Sequence, residues 1–348
     1  MIYFNCDYLE GMHPSILKKL EETNLLQTVG YGEDNYCEAA AQLIKDICKS
    51  PEADVHFLVG GTQANLTVIS SALRPHECVL SAKTGHVNTH ETGAIEATGH
   101  KVEALPCGTD GKITAAQVSE YCSLHYSDAA QIHTVKPGMV YISHPTENGM
   151  LYTKQELANL REICDKYGLI FYLDGARLSY ALTSDSTDVS IDDISKYCDV
   201  FYIGGTKCGA MFGEAVVINH PIIKKDFRYF IKQKGALLSK GRFLGIQFQT
   251  LFENNLYCEI AKKANMLAQK VAQACRDFSI PLLTDSPTNQ QFLILSDTSI
   301  SALSEKYGFS HWQKIDDTHS AIRICTSWAT KSEHVDQLIS DLKELSSK

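Results

Sequence analysis

Three short stretches place reactive side chains directly after apolar runs. LDGAR, residues 173–177, puts Asp174 and Arg177 three positions apart where a strand-like run ends. GGTK, residues 204–207, puts Lys207 among small neighbours after VFYI. GGT, residues 60–62, separates the apolar VHFLV from the helical pattern QANLTVISSAL. Each has a plain explanation. GGT can be a tight strand–helix turn, and Lys207 can reach solvent or a carboxylate. Asp174 and Arg177 can pair with each other, since a buried carboxylate without a partner costs several kcal/mol. Each also has a chemical one. Free amides at a helix start attract phosphate. A buried strand-end acid can hold a protonated ring nitrogen. A desolvated lysine is the usual source of imine chemistry.

Together the three suit pyridoxal phosphate, which carries a phosphate, a ring nitrogen and an aldehyde. Gly61 and Thr62, with Gln63 beside them, would hold the phosphate. Asp174 would keep the ring nitrogen protonated, and Lys207 would take the aldehyde. His86, in TGHVNTHETGA, is placed to stack on a flat ring, although a lone loop histidine is more often only hydrogen-bonded. A nucleotide-binding α/β protein is the weaker reading, because GxGxxG and GK[ST] are both missing.

These residues need a scaffold that brings strand ends together. VHFLV, ECVLSA, KVEAL, MVYISH, GLIFYLD and DVFYIGG read as strands, mostly apolar on both faces. Helical patterns separate them, including HETGAIEATG, TAAQVSEYCSLHY and a capping box at Thr153 and Glu156. Earlier helices are expected from Pro14, with Ile16, Leu17 and Leu20 on one face, and near Asn35 to Cys48. The pattern predicts an α/β fold with a mostly parallel central sheet covered on both faces by helices. Ligands bind such sheets at the carboxyl ends of the strands. After about Pro221 the texture turns helical, then ends in strands QFLILS and AIRICT and a helix near Ser332 to Leu345. The division expected is a large domain over 1–240, then a helical connector and a small α+β domain over 241–348.

Composition excludes several functions. The 348 residues carry a formal charge of −9, and one basic stretch, Lys224 to Gly235, reads as a solvated helix face. A nucleic-acid partner is not expected without a positive footprint. No apolar run approaches a membrane span, and no secretory signal is visible at the N-terminus. The 12 cysteines form no CxxC pair and read as reduced thiols of a cytoplasmic protein. Cys122 and His125 form a CxxH with no second pair, so no metal site is expected.

An ordered set of motifs carries a resemblance over nearly the whole chain. They are FNCDYLEGMHP, YGEDN, GGTQANLT, GHVNTHETGA, SHPTENGMLYT, LDGAR, GGTKCGAMFGEAVV, GALLSKGRFL and IRICTSWAT. The sequence resembles the threonine aldolase and β-eliminating lyase family of pyridoxal-phosphate enzymes, nearest the branch that includes phenylserine aldolase. The resemblance implies the aspartate aminotransferase fold (fold type I). It implies Lys207 as the covalent anchor, Asp174 as the ring-nitrogen partner and His86 as the stacking residue. Gly61, Thr62 and Gln63 would bind phosphate, and Arg177 and Arg323 the substrate carboxylate, helped by Asn5, Cys6 and Asp7. Arg242 matches an arginine that reaches the cofactor from a neighbouring subunit, which implies a homo-oligomer, a homodimer or a tetrameric dimer of dimers, with the cofactor between two chains. Two positions depart from the family. Cys6 stands where serine is usual, and Thr146, next to Glu147, stands where a second histidine contacts the substrate hydroxyl. The base candidates are therefore His86, His90 and a water, in that order. The implied reaction is cleavage of L-threonine, L-allo-threonine or a larger β-hydroxy-α-amino acid to glycine and an aldehyde. β-Elimination or transamination on the same scaffold, and a catalytically silent cofactor-binding protein, are the alternatives.

Overall fold

The computed structural model describes residues 1–346. In chain order its strands are β1 (Ile2–Tyr3), β2 (Asp54–Leu58), β3 (Glu77–Ala82), β4 (Lys101–Leu105), β5 (Lys136–Ser143) and β6 (Ile170–Asp174). They continue as β7 (Val200–Gly204), β8 (Glu214–Ile218), β9 (Gln290–Ser296), β10 (Tyr307–Gly308), β11 (Ser310–Lys314) and β12 (His319–Cys325). Seven of them form the main sheet in the order β2-β8-β7-β6-β5-β3-β4. All run parallel except β8, which lies antiparallel between β2 and β7. β3, β7 and β8 are buried at every position, as expected of strands covered on both faces. Separate apolar clusters pack on the two sides of this sheet, and a third belongs to the C-terminal layer.

The helix Gly61–Ala72 leaves the end of β2 and lies over one face of the sheet. The helix Lys154–Tyr167 starts at its capping box, where Thr153 and Glu156 exchange hydrogen bonds. The helix Arg242–Glu253 packs on Asn35–Ile47 at close range. A Cβ on Gly245 would lie 2.6 Å from the Cys37 amide nitrogen, so only glycine permits the approach. Asn255, at φ +57°, separates that helix from Leu256–Asp277, splitting the long helical pattern in two. β9, β11 and β12 make a small antiparallel sheet backed by the helix Ser332–Ser346.

Three features differ from the expectations. HETGAIEATG is not one α-helix. A helical turn His86–Thr89 ends at His90, Thr92 and Gly93 then take φ of +53° and +68°, and only Glu96–Thr98 is helical, as a 3-10 turn. This break turns the Glu91 side chain inward. β8 is an additional strand, hidden in the sequence because GEAVV directly follows a glycine-rich loop. Leu17 is exposed rather than packed beside Ile16. β1 pairs with β10, and Phe4 joins the C-terminal cluster, so the first residues sit with the small layer. We therefore propose a large domain up to about residue 240 from which this N-terminal segment is excepted.

Candidate active site

β6, β7 and the β2-to-helix turn deliver their ends to one cavity of about 290 Å³. Gly61, Thr62, His86, Asp174, Arg177 and Lys207 all line it. Six sequence-predicted residues thus converge from four separate segments.

Asp174 lies at the floor, 3% exposed. Its Oδ1 accepts from the Tyr202 hydroxyl at 2.5 Å and the Ala176 amide at 3.0 Å. Its Oδ2 accepts from the Tyr141 hydroxyl at 2.5 Å and Asn65 Nδ2 at 3.1 Å. Burial pushes this carboxyl up, but the His86 charge and these donors outweigh it and hold it below its ordinary value. The floor is a fixed anion, suited to a cationic ring N–H. The simple Asp174–Arg177 pair does not form, because Arg177 turns the other way.

His86 forms the opposite wall. Its Nδ1 meets Glu91 Oε1 at 2.7 Å, and the same oxygen accepts from Asn65 Nδ2 at 2.7 Å. The Tyr172 hydroxyl donates to Asn65 Oδ1 at 2.7 Å and fixes that amide. His86, Glu91, Asn65 and Asp174 therefore form one chain of contacts from wall to floor. The His86 amide donates to Glu147 Oε1 at 2.9 Å, which also accepts from Ser143 Oγ at 2.6 Å. Burial pushes the Glu147 carboxyl up.

The phosphate-facing turn is built by its helix. Gly60 caps Gly61–Ala72, and the first helical bond is Ala64 N–H to Gly60 C=O at 3.0 Å. The amides of Gly61, Thr62 and Gln63 lie ahead of that bond, where a helix offers anions its free donors. A Cβ on Gly61 would meet the Tyr202 hydroxyl at 3.0 Å, so this turn rests on the tyrosine that holds Asp174. The Gln63 side chain is not part of the cavity. It accepts from the Val59 amide and donates to the Lys234 carbonyl, leaving its backbone amide as the group on offer.

Lys207 Nζ makes no hydrogen bond or ion pair among the described residues, while its backbone carbonyl accepts from the Tyr180 hydroxyl at 2.6 Å. Burial, then the Arg177 charge, lowers its pKa, against opposing pulls from Asp7, Asp174 and Glu214. That favours the neutral, nucleophilic amine. Its neighbour Thr206 donates to Glu214 Oε1 at 2.8 Å.

The arginines differ sharply. Arg177 makes a bidentate pair with Asp7, at 2.7 and 2.9 Å, and Asn289 donates to the same carboxylate at 2.9 Å. Asp7, expected to help bind a carboxylate, instead neutralises the arginine, as a buried acid must find a partner. Arg323 meets only neutral groups: Gln290 Oε1 at 3.1 Å, the Asn5 carbonyl at 2.9 Å and Ser310 Oγ at 3.3 Å. It lies 5.3 Å from the centre of the Trp312 ring. Asn5 Nδ2 is committed to the Phe309 carbonyl, and Cys6 is half-buried. Neither they nor Arg323 line the cavity wall with Lys207. Arg242 is also outside the cavity. It donates to the carbonyls of Thr23, Asn24 and Leu26, closing the end of the helix Pro14–Thr23.

Thr146 lines the cavity but is spent on a turn, donating to the Asp110 carbonyl and accepting from the Met150 amide. His144, two positions earlier, does not replace the missing histidine. It is fully buried against the Tyr152 amide, and burial drives its pKa down to about 4. His90 stacks 5.6 Å from His86, and its Nδ1 meets Thr89 Oγ1 at 2.6 Å. Burial and the charges of His86, Arg323 and Lys207 lower its pKa. Cys122 is buried while the His125 ring meets Thr134, so the CxxH pair does not converge.

Sequence reasoning missed Tyr141, Tyr202, Asn65, Glu91 and Glu214. A signal existed for the tyrosines. Each sits inside a run buried on both faces, where a hydroxyl requires a partner. Nothing in the sequence signals Asn65, a small polar residue in an amphipathic helix.

Comparison with known proteins agrees with this geometry. The family model described as "Beta-eliminating lyase" matches residues 15–298. A low specificity L-threonine aldolase of Pseudomonas sp. (strain NCIMB 10558) is 30% identical over 346 residues, covering 99% of this chain and 98% of that protein. One from Saccharomyces cerevisiae is 26% identical, covering 76% and 67%. The solved structure of a Leishmania major threonine aldolase superposes with a TM-score of 0.96 at 43% identity, covering 99% and 100%. An aromatic aminotransferase from Pyrococcus horikoshii shares the fold, with a TM-score of 0.70 at 17% identity. With its anionic floor, free-amide turn and unpaired lysine, the chain belongs to the β-eliminating lyase family, in its threonine aldolase group, and is a pyridoxal-phosphate-dependent lyase of the aminotransferase-like fold.

Proposed function

We propose that this enzyme cleaves L-threonine, L-allo-threonine or a related β-hydroxy-α-amino acid, phenylserine included, to glycine and an aldehyde. The observation that carries the reading is the unpaired Lys207 amine in a cavity whose floor is Asp174, a carboxyl held below its ordinary pKa. Pyridoxal phosphate supplies an electron sink conjugated to the substrate Cα. The Gly61, Thr62 and Gln63 amides would hold its phosphate, Asp174 its ring nitrogen, His86 its ring face and Lys207 its aldehyde carbon. Arg323, whose charge no carboxylate among the described residues offsets, grips the substrate carboxylate, and Arg177, already neutralised by Asp7, supports it. This grip would fix the orientation of the scissile Cα–Cβ bond.

His90 takes the proton of the substrate hydroxyl. It stacks on His86 at the edge of the cavity lining, burial and neighbouring charges lower its pKa and favour the neutral imidazole, and its engaged Nδ1 leaves Nε2 as the acceptor. His86, held at Nδ1 by Glu91, is kept for the ring face of the cofactor. Among the described residues no helix is long and apolar enough to cross a membrane. A cytoplasmic setting is supported by cysteines that are all unpaired. A homo-oligomer is supported by Leu9, Leu17, Leu25, Leu26 and Val29, exposed along the N-terminal segment. Sedimentation that finds an active monomer would contradict it.

The reaction is tested by incubating the holoenzyme with a panel of β-hydroxy-α-amino acids and measuring products. Glycine and aldehyde in equal amounts are expected. Ammonia with a keto acid would establish elimination or transamination instead.

A further inference from the structure

Glu214 is the first residue of β8 and sits between the two strands that feed the cavity. On one side it pairs with Leu58, three residues before Gly61. On the other it pairs with Gly204, three residues before Lys207. It lines the cavity together with Gly60, Gly61, Thr62 and Thr206. The side chain is 4% exposed. Its Oε1 accepts from Thr206 Oγ1 at 2.8 Å, while Oε2 is buried with no partner. A buried polar atom left unpaired beside a free-amide turn is incomplete without a ligand. The residue is also an odd neighbour for a phosphate, because a carboxylate would repel it.

We propose that Glu214 serves the phosphate end of the cavity as a neutral carboxyl, donating from Oε2 to the cofactor phosphate and making its capture conditional on the Glu214 proton. This rests on the cofactor reading above. Burial pushes the Glu214 carboxyl up to about 8, against the Thr206 hydrogen bond, the Lys207 charge and the Gly205 backbone amide, with Asp174 pushing the same way as burial. Of the other ionisable groups that face it, Tyr172 of β6, Tyr202 of β7 and Tyr257 of the helix Leu256–Asp277 are themselves held neutral by burial. Lys207 and Asp174 are the charges in its surroundings. The phosphate remains a dianion throughout this range, since its second ionisation lies near pH 6. Below about pH 8 Glu214 arrives with its proton in place. Above it, binding must first recover that proton or accept two facing anions.

The test uses pyridoxamine 5′-phosphate, which lacks the aldehyde and so leaves Lys207 uninvolved. Its affinity for the cofactor-free wild type, Glu214→Gln and Glu214→Ala is measured from pH 6.5 to 9.5, with phosphate-free pyridoxamine as control. Glu214→Gln keeps a donor and cannot ionise. The ratio of wild-type to Glu214→Gln affinity is expected to fall toward tenfold per pH unit above about pH 8. Glu214→Ala is expected to bind more weakly at every pH. Wild-type pyridoxamine 5′-phosphate affinity relative to pyridoxamine should fall over the same range, a readout that needs no variant. A pH-independent ratio, or Glu214→Ala binding as tightly as wild type, would overturn the assignment. No binding by any of the three at pH 6.5 would overturn the cofactor reading, and the assignment with it.

Discussion

Asp174, ending β6, and Glu214, opening β8, are both acids of one cavity and are almost equally buried, at 3% and 4% exposure. Asp174 is nevertheless held below its ordinary pKa, and Glu214 is pushed up to about 8. Burial acts on both in the same direction, so the difference lies in their partners. Four donors converge on Asp174. One side-chain hydroxyl reaches Glu214. At Asp174 the His86 charge and the converging donors outweigh burial, whereas at Glu214 fewer donors and the repelling Asp174 charge leave burial in control. One carboxyl can thus face a cationic ring nitrogen and the other an anionic phosphate. The two arginines repeat the contrast with signs reversed, Arg177 being neutralised by Asp7 while Arg323 is not.

The largest effect is expected at the floor. Asp174→Asn replaces one accepting oxygen with an NH₂ facing two donors, and it removes the anion. We expect kcat/KM to fall by roughly a thousandfold or more, each tenfold being about 1.4 kcal/mol of barrier. The misplaced donors should lower stability by about 1–3 kcal/mol. Tyr202→Phe removes one donor and keeps the charge, so it should be much milder. Equal losses in the two variants would break the contrast.

Exchanging arginine for lysine comes next, because lysine cannot reproduce a planar two-pronged grip. Arg323→Lys should raise KM for the amino acid by about tenfold to a hundredfold and lower kcat, with normal melting. Arg177→Lys should lower the melting temperature more, since it breaks the bidentate pair with buried Asp7. The reverse pattern in melting and kinetics would exchange their roles.

A smaller effect concerns stability against pH. Folded Glu214 holds its proton to about pH 8, against an ordinary 4.5. The folded state then binds more protons than the unfolded one. The contribution of this group to wild-type stability is full below about pH 4.5 and is lost as pH rises toward 8, at up to about 1.4 kcal/mol per pH unit. Melting of cofactor-free Glu214→Gln should therefore gain on wild type across this window and keep a constant lead above it. A constant gap from pH 4.5 onward would contradict the raised pKa. The smallest effect is Thr206→Val. Losing the hydroxyl that lowers the Glu214 pKa should move the fall in pyridoxamine 5′-phosphate affinity upward by about one pH unit or less. A downward move would contradict the donor-count explanation.

Much of this was legible in the sequence because it is local. LDGAR, GGTK and GGT each follow an apolar strand, and strand ends of a parallel sheet converge, so Asp174, Lys207 and Gly61 could be placed together from pattern alone. What could not be read is set by long-range pairing. Asp7 meets Arg177 across 170 positions, and Asn65 meets Asp174 across 109. Glu91 lay in a segment with helical spacing, and only the positive φ at Thr92 and Gly93 turns it toward His86. Glu214 was hidden because the strand it opens runs antiparallel, which brings a strand beginning, not an end, to the cavity.

The opposite protonation of the two buried acids can be read directly by infrared difference spectroscopy on cofactor-free protein at pH 6.5. Wild type should show the carbonyl stretch of a buried neutral carboxyl that disappears in Glu214→Gln, persists in Asp174→Asn and fades as pH passes about 8. A band that is absent from wild type, or that Asp174→Asn removes instead, would contradict the assignment of charge to these two sites.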